Sequence, residues 1–203
     1  ATGLGDQAAM ELVPQGSFNA FIDLVPGAFS EHLLGGNRGI SGPGRLDIAS
    51  KIPIPYIFCP GGFDIISCGP IERKDKADPL WTSRKLAERK LYVQESPRVQ
   101  ARLSAEEMSF IATAAAERLN EYAHKKRVKI VIPRRGFSSI SEEGCPLYDP
   151  ESDRAFGTAI KKSIDPAIDV IEVDAEINSR AFAAAVVRAL SEAQEEIRRL
   201  TDS

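Results

Sequence analysis

Residues 127–133 read RVKIVIP, and this short run decides the fold. After Arg127, apolar residues follow one another, interrupted only by Lys129, instead of alternating strictly with polar ones. A run of this kind is typical of a strand that is covered on both faces, as in a parallel sheet. Pro133 ends the strand, and RRGFSS at 134–139 begins the loop at its carboxyl end.

Other strand-like runs lie on both sides of this one, and helical segments separate them. The predicted strands are FNAFIDLV (18–25), PYIFC (55–59), KLYVQ (90–94) and AIDVIEVD (167–174). A helix is predicted from Gln7 to Val13, and another, with a Ser104–Glu107 capping box, from Ser104 to about Ala123. Two more begin at Asp149-Pro150 and at a cap formed by Asn178 or Ser179.

The alternation of strands and helices predicts the fold class. We expect residues 1–203 to form a single α/β domain with a three-layer, Rossmann-like, doubly wound architecture: a mostly parallel sheet with helices on both faces. The opening ATGLG turn would normally follow a strand. A leading strand is therefore expected from another segment or another chain.

Composition narrows the function classes. The net charge of −3 argues against a nucleic-acid partner. No run reaches the roughly 18 apolar residues that cross a bilayer, so no membrane partner is expected. The cysteines Cys59, Cys68 and Cys145 have no metal-binding spacing. They are typical of reduced thiols in a cytoplasmic protein, and a nucleophilic role would need a neighbouring base.

Glycine-rich loops are the first candidate binding elements. Glycine lets a backbone approach a phosphate closely, and arginine nearby supplies charge. Each loop could equally be a tight turn or a plain connection. The candidates are Gly3 and Gly5 in ATGLG, Gly35, Gly36 and Gly42 with Arg38 and Arg45 in LLGGNRGISGPGRL, and Gly61 and Gly62 in CPGGF.

The loop after Pro133 is the densest candidate. Arg134, Arg135, Gly136, Ser138 and Ser139 combine two guanidinium groups, a flexible turn and two hydroxyls. These groups suit an anion at the end of a strand, where α/β sheets bind ligands. A solvated basic turn is the alternative.

Catalytic candidates are fewer. His32 precedes a glycine-rich loop and could act in acid–base chemistry. Asp64 could accept hydrogen bonds from ribose or cap a helix, and Glu176 follows the last predicted strand. Together with Arg134 they would form an active site for a small carboxylated or phosphorylated metabolite. No nucleophile–base pair is recognisable, and no metal site is predicted.

Several of these stretches together resemble a known family. ATGLGDQAAMELV, LLGG…SGPGRL, IPYIFCPGGFDIISCGP, IPRRGFSSIS and EVDAEIN follow one another in the order seen in the tomato mosaic virus resistance protein-like family. The resemblance implies the C-terminal half of a module of two Rossmann-like halves that face a cleft. It also implies an ATP-binding domain and self-association into a homo-oligomer. Mg²⁺ is the ion expected to accompany a bound nucleotide.

One segment departs from the family pattern. Residues 94–104 read QESPRVQARLS, with Glu95 and Ser96 where members carry His and Asn, while Pro97, Val99 and Arg102 fit. The departure implies a changed site. The first hypothesis is thus a domain that binds ATP, a related nucleotide or a phosphorylated metabolite together with the N-terminal half. The alternatives are an enzyme on a small metabolite and a protein-interaction module.

Overall fold

The computed structural model describes residues 3–95 and 98–201. The strands are, in chain order, β1 (Phe21–Asp23), β2 (Tyr56–Phe58), β3 (Ile65–Gly69), β4 (Leu91–Glu95), β5 (Arg98–Arg102), β6 (Val128–Pro133) and β7 (Asp169–Val173). The α-helices are α1 (Gly3–Leu12), α2 (Ala28–Leu34), α3 (Pro79–Ser83), α4 (Ala105–Asn120), α5 (Pro150–Ser163) and α6 (Arg180–Thr201).

A parallel sheet with the order β1-β2-β6-β7 forms the centre. Successive side chains of each strand point to opposite faces of this sheet, and both faces carry apolar side chains. Tyr56, Phe58 and Ile130 belong to a core that includes residues of α4 and α5. Ile57 and Val131 belong to a second core, which includes residues of α6. Helices therefore cover both faces, and the predicted α/β, Rossmann-like fold class is confirmed.

A second, antiparallel sheet with the order β3-β5-β4 was not predicted. The KLYVQ segment forms β4 in this sheet and not a strand of the parallel one. β3 lies between the predicted strands 55–59 and 90–94, where no strand was predicted. The physical reason is a period-two pattern: Ile66, Cys68, Val99 and Ala101 are buried on one face of this sheet.

Local capping signals place the helix starts. Ser104 and Glu107 form the predicted capping box at α4. Asp149 caps α5, with Pro150 in its first position. Of the two candidate caps for α6, Ser179 is the one that accepts the Phe182 N–H, at 3.0 Å.

The predicted glycine turn at the start of the chain is wrong. α1 begins at Gly3 and includes Gly5, so the glycines lie in helical backbone ahead of Gln7. Glycine costs a helix interior only about 1 kcal/mol relative to alanine, so it lowers helix stability without forbidding a helix. The Asp6 side chain of this first turn contacts Arg45 at 2.8 Å and joins α1 to the rest of the molecule.

Candidate functional site

Backbone hydrogen bonds join the loops at the carboxyl ends of the parallel strands. The Gly61 N–H donates to the carbonyl of Leu24, after β1, at 3.1 Å. The Gly62 N–H donates to the carbonyl of Phe137, after β6, at 3.0 Å, and the Ile177 N–H, after β7, donates to that of Gly136 at 3.1 Å. These loops form one continuous rim, at the edge where the sequence predicts ligand binding.

Glycine is required at specific points of this rim. A Cβ atom at Gly61 would lie 2.2 Å from the Leu24 carbonyl oxygen. Gly62 and Gly136 have φ angles of +72° and +136°, which residues with a Cβ atom rarely adopt. The predicted glycine residues therefore let the rim loops approach one another closely.

Two adjoining cavities open along the rim. The first, of about 630 Å³, is called the cationic cavity; its lining includes Asp6, Asn37, Ser67, Arg98 and Val99. The second, of about 380 Å³, is called the serine cavity; its lining includes Tyr92, Phe137, Ser138, Ser139 and Asn178. Both are lined by Val25, Arg38, Gly62, Gln94 and Gln100. Their volumes lie within the range of small-molecule sites.

The antiparallel sheet supplies one wall of both cavities. Ser67, Gln100 and Tyr92 are paired across the three strands of this sheet. Their side chains lie on the face opposite to Ile66 and Ala101, which are buried. This wall was not predicted, although the alternation of polar and apolar residues in LYVQ and RVQAR is typical of strands with one buried face.

A buried ionic network lies beneath the serine cavity. Arg102 donates from Nη1 to Asp64 Oδ2 at 3.1 Å and from Nη2 to Asp153 Oδ1 at 2.5 Å. Ser138 Oγ donates to the same Asp64 oxygen at 2.9 Å. Burial raises the pKa of Asp153 to about 6 even though Arg102 opposes the shift. Asp64 is fully buried, so it contacts the cavity only through Ser138.

A second buried network lies at the end of β1. Arg45 forms a bidentate pair with Asp23, at 2.6 and 2.7 Å, and also contacts Asp6. Tyr56 donates its hydroxyl to Asp23 at 2.9 Å. Burial raises the pKa of Asp23, and Arg45 acts in the opposite direction. Arg45, which the sequence suggested as a phosphate ligand, is thus paired with two carboxylates.

The basic loop after β6 divides between two environments. Ser138 and Ser139 line the serine cavity. Arg134 and Arg135 are exposed and do not line either cavity, and Arg135 forms a bidentate pair with Asp174 at 2.8 Å. The two predicted guanidinium groups and the two hydroxyls are therefore not brought to one point.

The glycine-rich loop at 35–44 packs on α2. Gly35 ends α2 with a left-handed conformation. A Cβ atom at Gly36 would overlap the Glu31 carboxylate, and one at Gly42 would lie 2.2 Å from the Cβ of His32. These glycine residues allow close packing of the loop, which carries Arg38 to the cavities.

The catalytic candidates are not brought together. His32 is exposed on α2, Asp64 is buried under Ser138, and Glu176 lies half-buried in the loop after β7. Neither the cationic nor the serine cavity is lined by any of them. Over residues 3–95 and 98–201, no group of three or more His, Cys, Asp or Glu side chains could hold a metal ion.

In the part of the chain that the structure describes, no helix is long and apolar enough to cross a membrane. Within the segment that departs from the family pattern, Ser96, Pro97 and the Glu95 side chain lie outside the described residues. Val99 is in the core, and Arg102 is the centre of the buried network.

Comparison with known proteins identifies relatives along most of the chain. Residues 1–194 match the C-terminal domain of an uncharacterised protein family, UPF0261. A UPF0261 protein of Clostridium tetani is 29% identical over 94% of this chain and 45% of its own length. A Brucella suis relative is 28% identical over 90% of this chain and 41% of its own length. The tomato ToMV resistance protein Tm-1(GCR237) is 27% identical over 75% of this chain and 19% of its own length.

Proposed function

The chain belongs to the UPF0261 family, and on that premise we propose that it forms one wall of a binding site for a phosphorylated small molecule, with ATP or a related nucleotide as the first candidate. The observation that carries the proposal is the pair of adjoining cavities on the rim. Together they lie over the ends of parallel strands, the position where open α/β sheets bind their ligands.

The charges of the rim support an anionic ligand. Arg38 and Arg98 line the cationic cavity, and both are exposed. The carboxylate in the same lining, Asp6, is already paired with Arg45. Guanidinium groups bind phosphate through charge-assisted hydrogen bonds, so these arginine residues are the proposed phosphate ligands.

Magnesium fits this proposal only as a companion of the nucleotide. The described residues contain no acidic cluster that could hold the ion alone. Mg²⁺ is commonly bound by substrate phosphates and water with few protein ligands. It would reduce the phosphate charge that Arg38 and Arg98 face.

A further protein domain is proposed to form the opposite wall of the binding site. The chain spans less than half the length of the bacterial relatives described above. Leu24, Val25, Ile40 and Val93 expose large apolar side chains at or next to the cavities. Exposed apolar groups around a cavity favour coverage by protein. We propose that the N-terminal half of the module supplies this cover in a cytoplasmic homo-oligomer.

The test is titration calorimetry of the protein made from its complete gene, with ATP and Mg²⁺. We expect saturable heat with one ligand per copy. A matched titration with inorganic phosphate separates nucleotide recognition from simple anion binding. The proposal is wrong if no nucleotide and no sugar phosphate gives heat in the millimolar range.

A further inference from the structure

The two cavities differ in the number of arginine residues that line them: Arg38 lines both, and Arg98 lines the cationic cavity. Arg38 is anchored through Nε to Glu31 Oε1 at 3.4 Å, and about half of its side chain is exposed. Arg98 is exposed and forms no ion pair with the side chains that the structure describes. The cationic cavity therefore offers two guanidinium groups to an anion, which neutral hydrogen-bond donors cannot match in strength.

Ser138 has the opposite hydrogen-bonding character. Its hydroxyl carries one hydrogen, and that hydrogen points to Asp64 Oδ2 at 2.9 Å. Arg102 donates to the same oxygen, so Asp64 acts as an acceptor towards both. Ser141 Oγ lies 3.0 Å from Ser138 Oγ and, since the Ser138 hydrogen is on Asp64, is the donor of that pair. One lone pair of Ser138 Oγ therefore remains for the serine cavity. It is suited to accept a hydrogen bond from a ligand and poorly suited to bind a phosphate oxygen.

The remaining lining of the serine cavity suits an uncharged, flat group. Tyr92 supplies an aromatic side chain, and Gln100 and Asn178 supply amides that both donate and accept. Arg38, at the junction with the cationic cavity, is the charged residue of this lining. A heteroaromatic ring with N–H groups matches this combination.

From these contrasts we infer that the ligand is a nucleoside phosphate with a fixed direction: its amine-bearing base lies in the serine cavity and donates to Ser138 Oγ, and its phosphates lie against Arg38 and Arg98. This inference rests on the proposed function and adds the orientation of the ligand. It also makes Ser138 a hydrogen-bond acceptor for the base and not a phosphate ligand.

The experiment compares three probes on the complete protein by calorimetry: ATP, adenosine and tripolyphosphate, each with Mg²⁺. In Arg38→Ala and Arg98→Ala we expect affinity for ATP and tripolyphosphate to fall about tenfold or more, with adenosine unchanged. In Ser138→Ala we expect affinity for ATP and adenosine to fall about fivefold, with tripolyphosphate unchanged. Arg154→Ala, an exposed residue of α5, is the control and should leave all three unchanged.

Inosine tests the hydrogen bond itself, because it lacks the exocyclic amine of adenosine. Wild type should prefer adenosine to inosine by about fivefold, and Ser138→Ala should lose that preference. Tyr92→Ala reports on the same end without touching the Asp64 network. Tyr92→Ala should lower the affinity for adenosine and leave the affinity for tripolyphosphate unchanged, even if Ser138→Ala disturbs folding.

Two results overturn the inference, and they can be told apart. If Ser138→Ala or Tyr92→Ala lowers the affinity for tripolyphosphate and the arginine variants leave that affinity unchanged, the orientation is wrong although a nucleotide site exists. If none of the three probes binds wild type, the proposed function fails, and the orientation fails with it.

Discussion

Among single residues, Asp153 has the clearest effect on how the stability of the protein depends on pH. Arg102 faces two buried carboxyl groups, Asp64 and Asp153, so one cation stands against two acidic side chains away from water. One oxygen of each carboxylate has no hydrogen-bond partner within residues 3–95 and 98–201. Burial of an unpaired charge is costly, and protonation relieves it.

Asp153 should therefore lower stability as the pH rises. Its pKa is about 6 in the folded protein against an ordinary value of 3.8, so the folded state binds more protons in this window. The unfolding free energy contributed by this group falls between pH 4 and pH 6, by about 3 kcal/mol in total. Asp153→Asn should remove this fall, as measured by urea denaturation across pH 4 to 7.

The control for this variant is Glu151→Gln, an exposed position on the same helix. It should follow the pH dependence of wild type. If Asp153→Asn and wild type differ by a constant amount from pH 4 to 7, the carboxylate does not titrate in this window and the prediction is wrong.

Among elements, the connection from β2 to β3 depends on close approach of two loops. Gly61 lies against the carbonyl of Leu24, at the end of β1, and any Cβ atom there would overlap that oxygen. The hydrogen bond between the same two residues holds the rim closed between β1 and β2. The geometry of the cavities follows from this contact, since Val25 and Gly62 line both.

Gly61→Ala should destabilise the protein by about 1–3 kcal/mol, because backbone atoms have to move apart. Gly27→Ala is the matched control. A Cβ atom there would lie 3.7 Å from its nearest contact, an ordinary van der Waals distance, so its stability should stay close to that of wild type. Urea denaturation measures both, and equal stability of the two variants would contradict the prediction.

At the scale of the whole molecule, some exposed apolar residues lie at the rim cavities and others lie elsewhere on the surface. Ile40 and Val93 lie around the rim cavities, whereas Val187 lies on the outer face of α6. Only the first group is expected to be covered in the complete protein. Ile40 is 84% exposed and Val187 is 58% exposed in this chain. The chain by itself therefore shields Ile40 from solvent no more than it shields Val187.

Thiol labelling of the complete protein should distinguish these surfaces. In a Cys145→Ala background, Ile40→Cys should react about tenfold or more slowly than Val187→Cys, because the covering half blocks the reagent. The remaining thiols should react slowly: burial raises the pKa of Cys59, and it raises that of Cys68 to about 12. Faster labelling at position 40 than at position 187 would show that the rim is open.

Much of the fold could be predicted from local patterns. The RVKIVIP run, the capping box at Ser104 and the Asp149-Pro150 start each depend on neighbouring residues, and each lies where it was predicted. The edge at which the loops after the parallel strands meet could also be predicted, because the carboxyl ends of parallel strands lie at one edge of the sheet. The period-two pattern of RVQAR was present but short, and β5 was missed.

Only the tertiary structure decided which charged groups are available to a ligand. Arg45 pairs with Asp23, 22 residues away, and Arg102 pairs with Asp64, 38 residues away. No local period encodes such pairs, because a buried ion pair forms only when packing brings its partners together and removes water from both. The sequence alone determined the α/β architecture and the edge of the sheet at which the candidate binding loops lie. Folding determined that Arg45 and Asp64 are buried in ionic networks and that Arg38, Arg98 and Ser138 line the cavities.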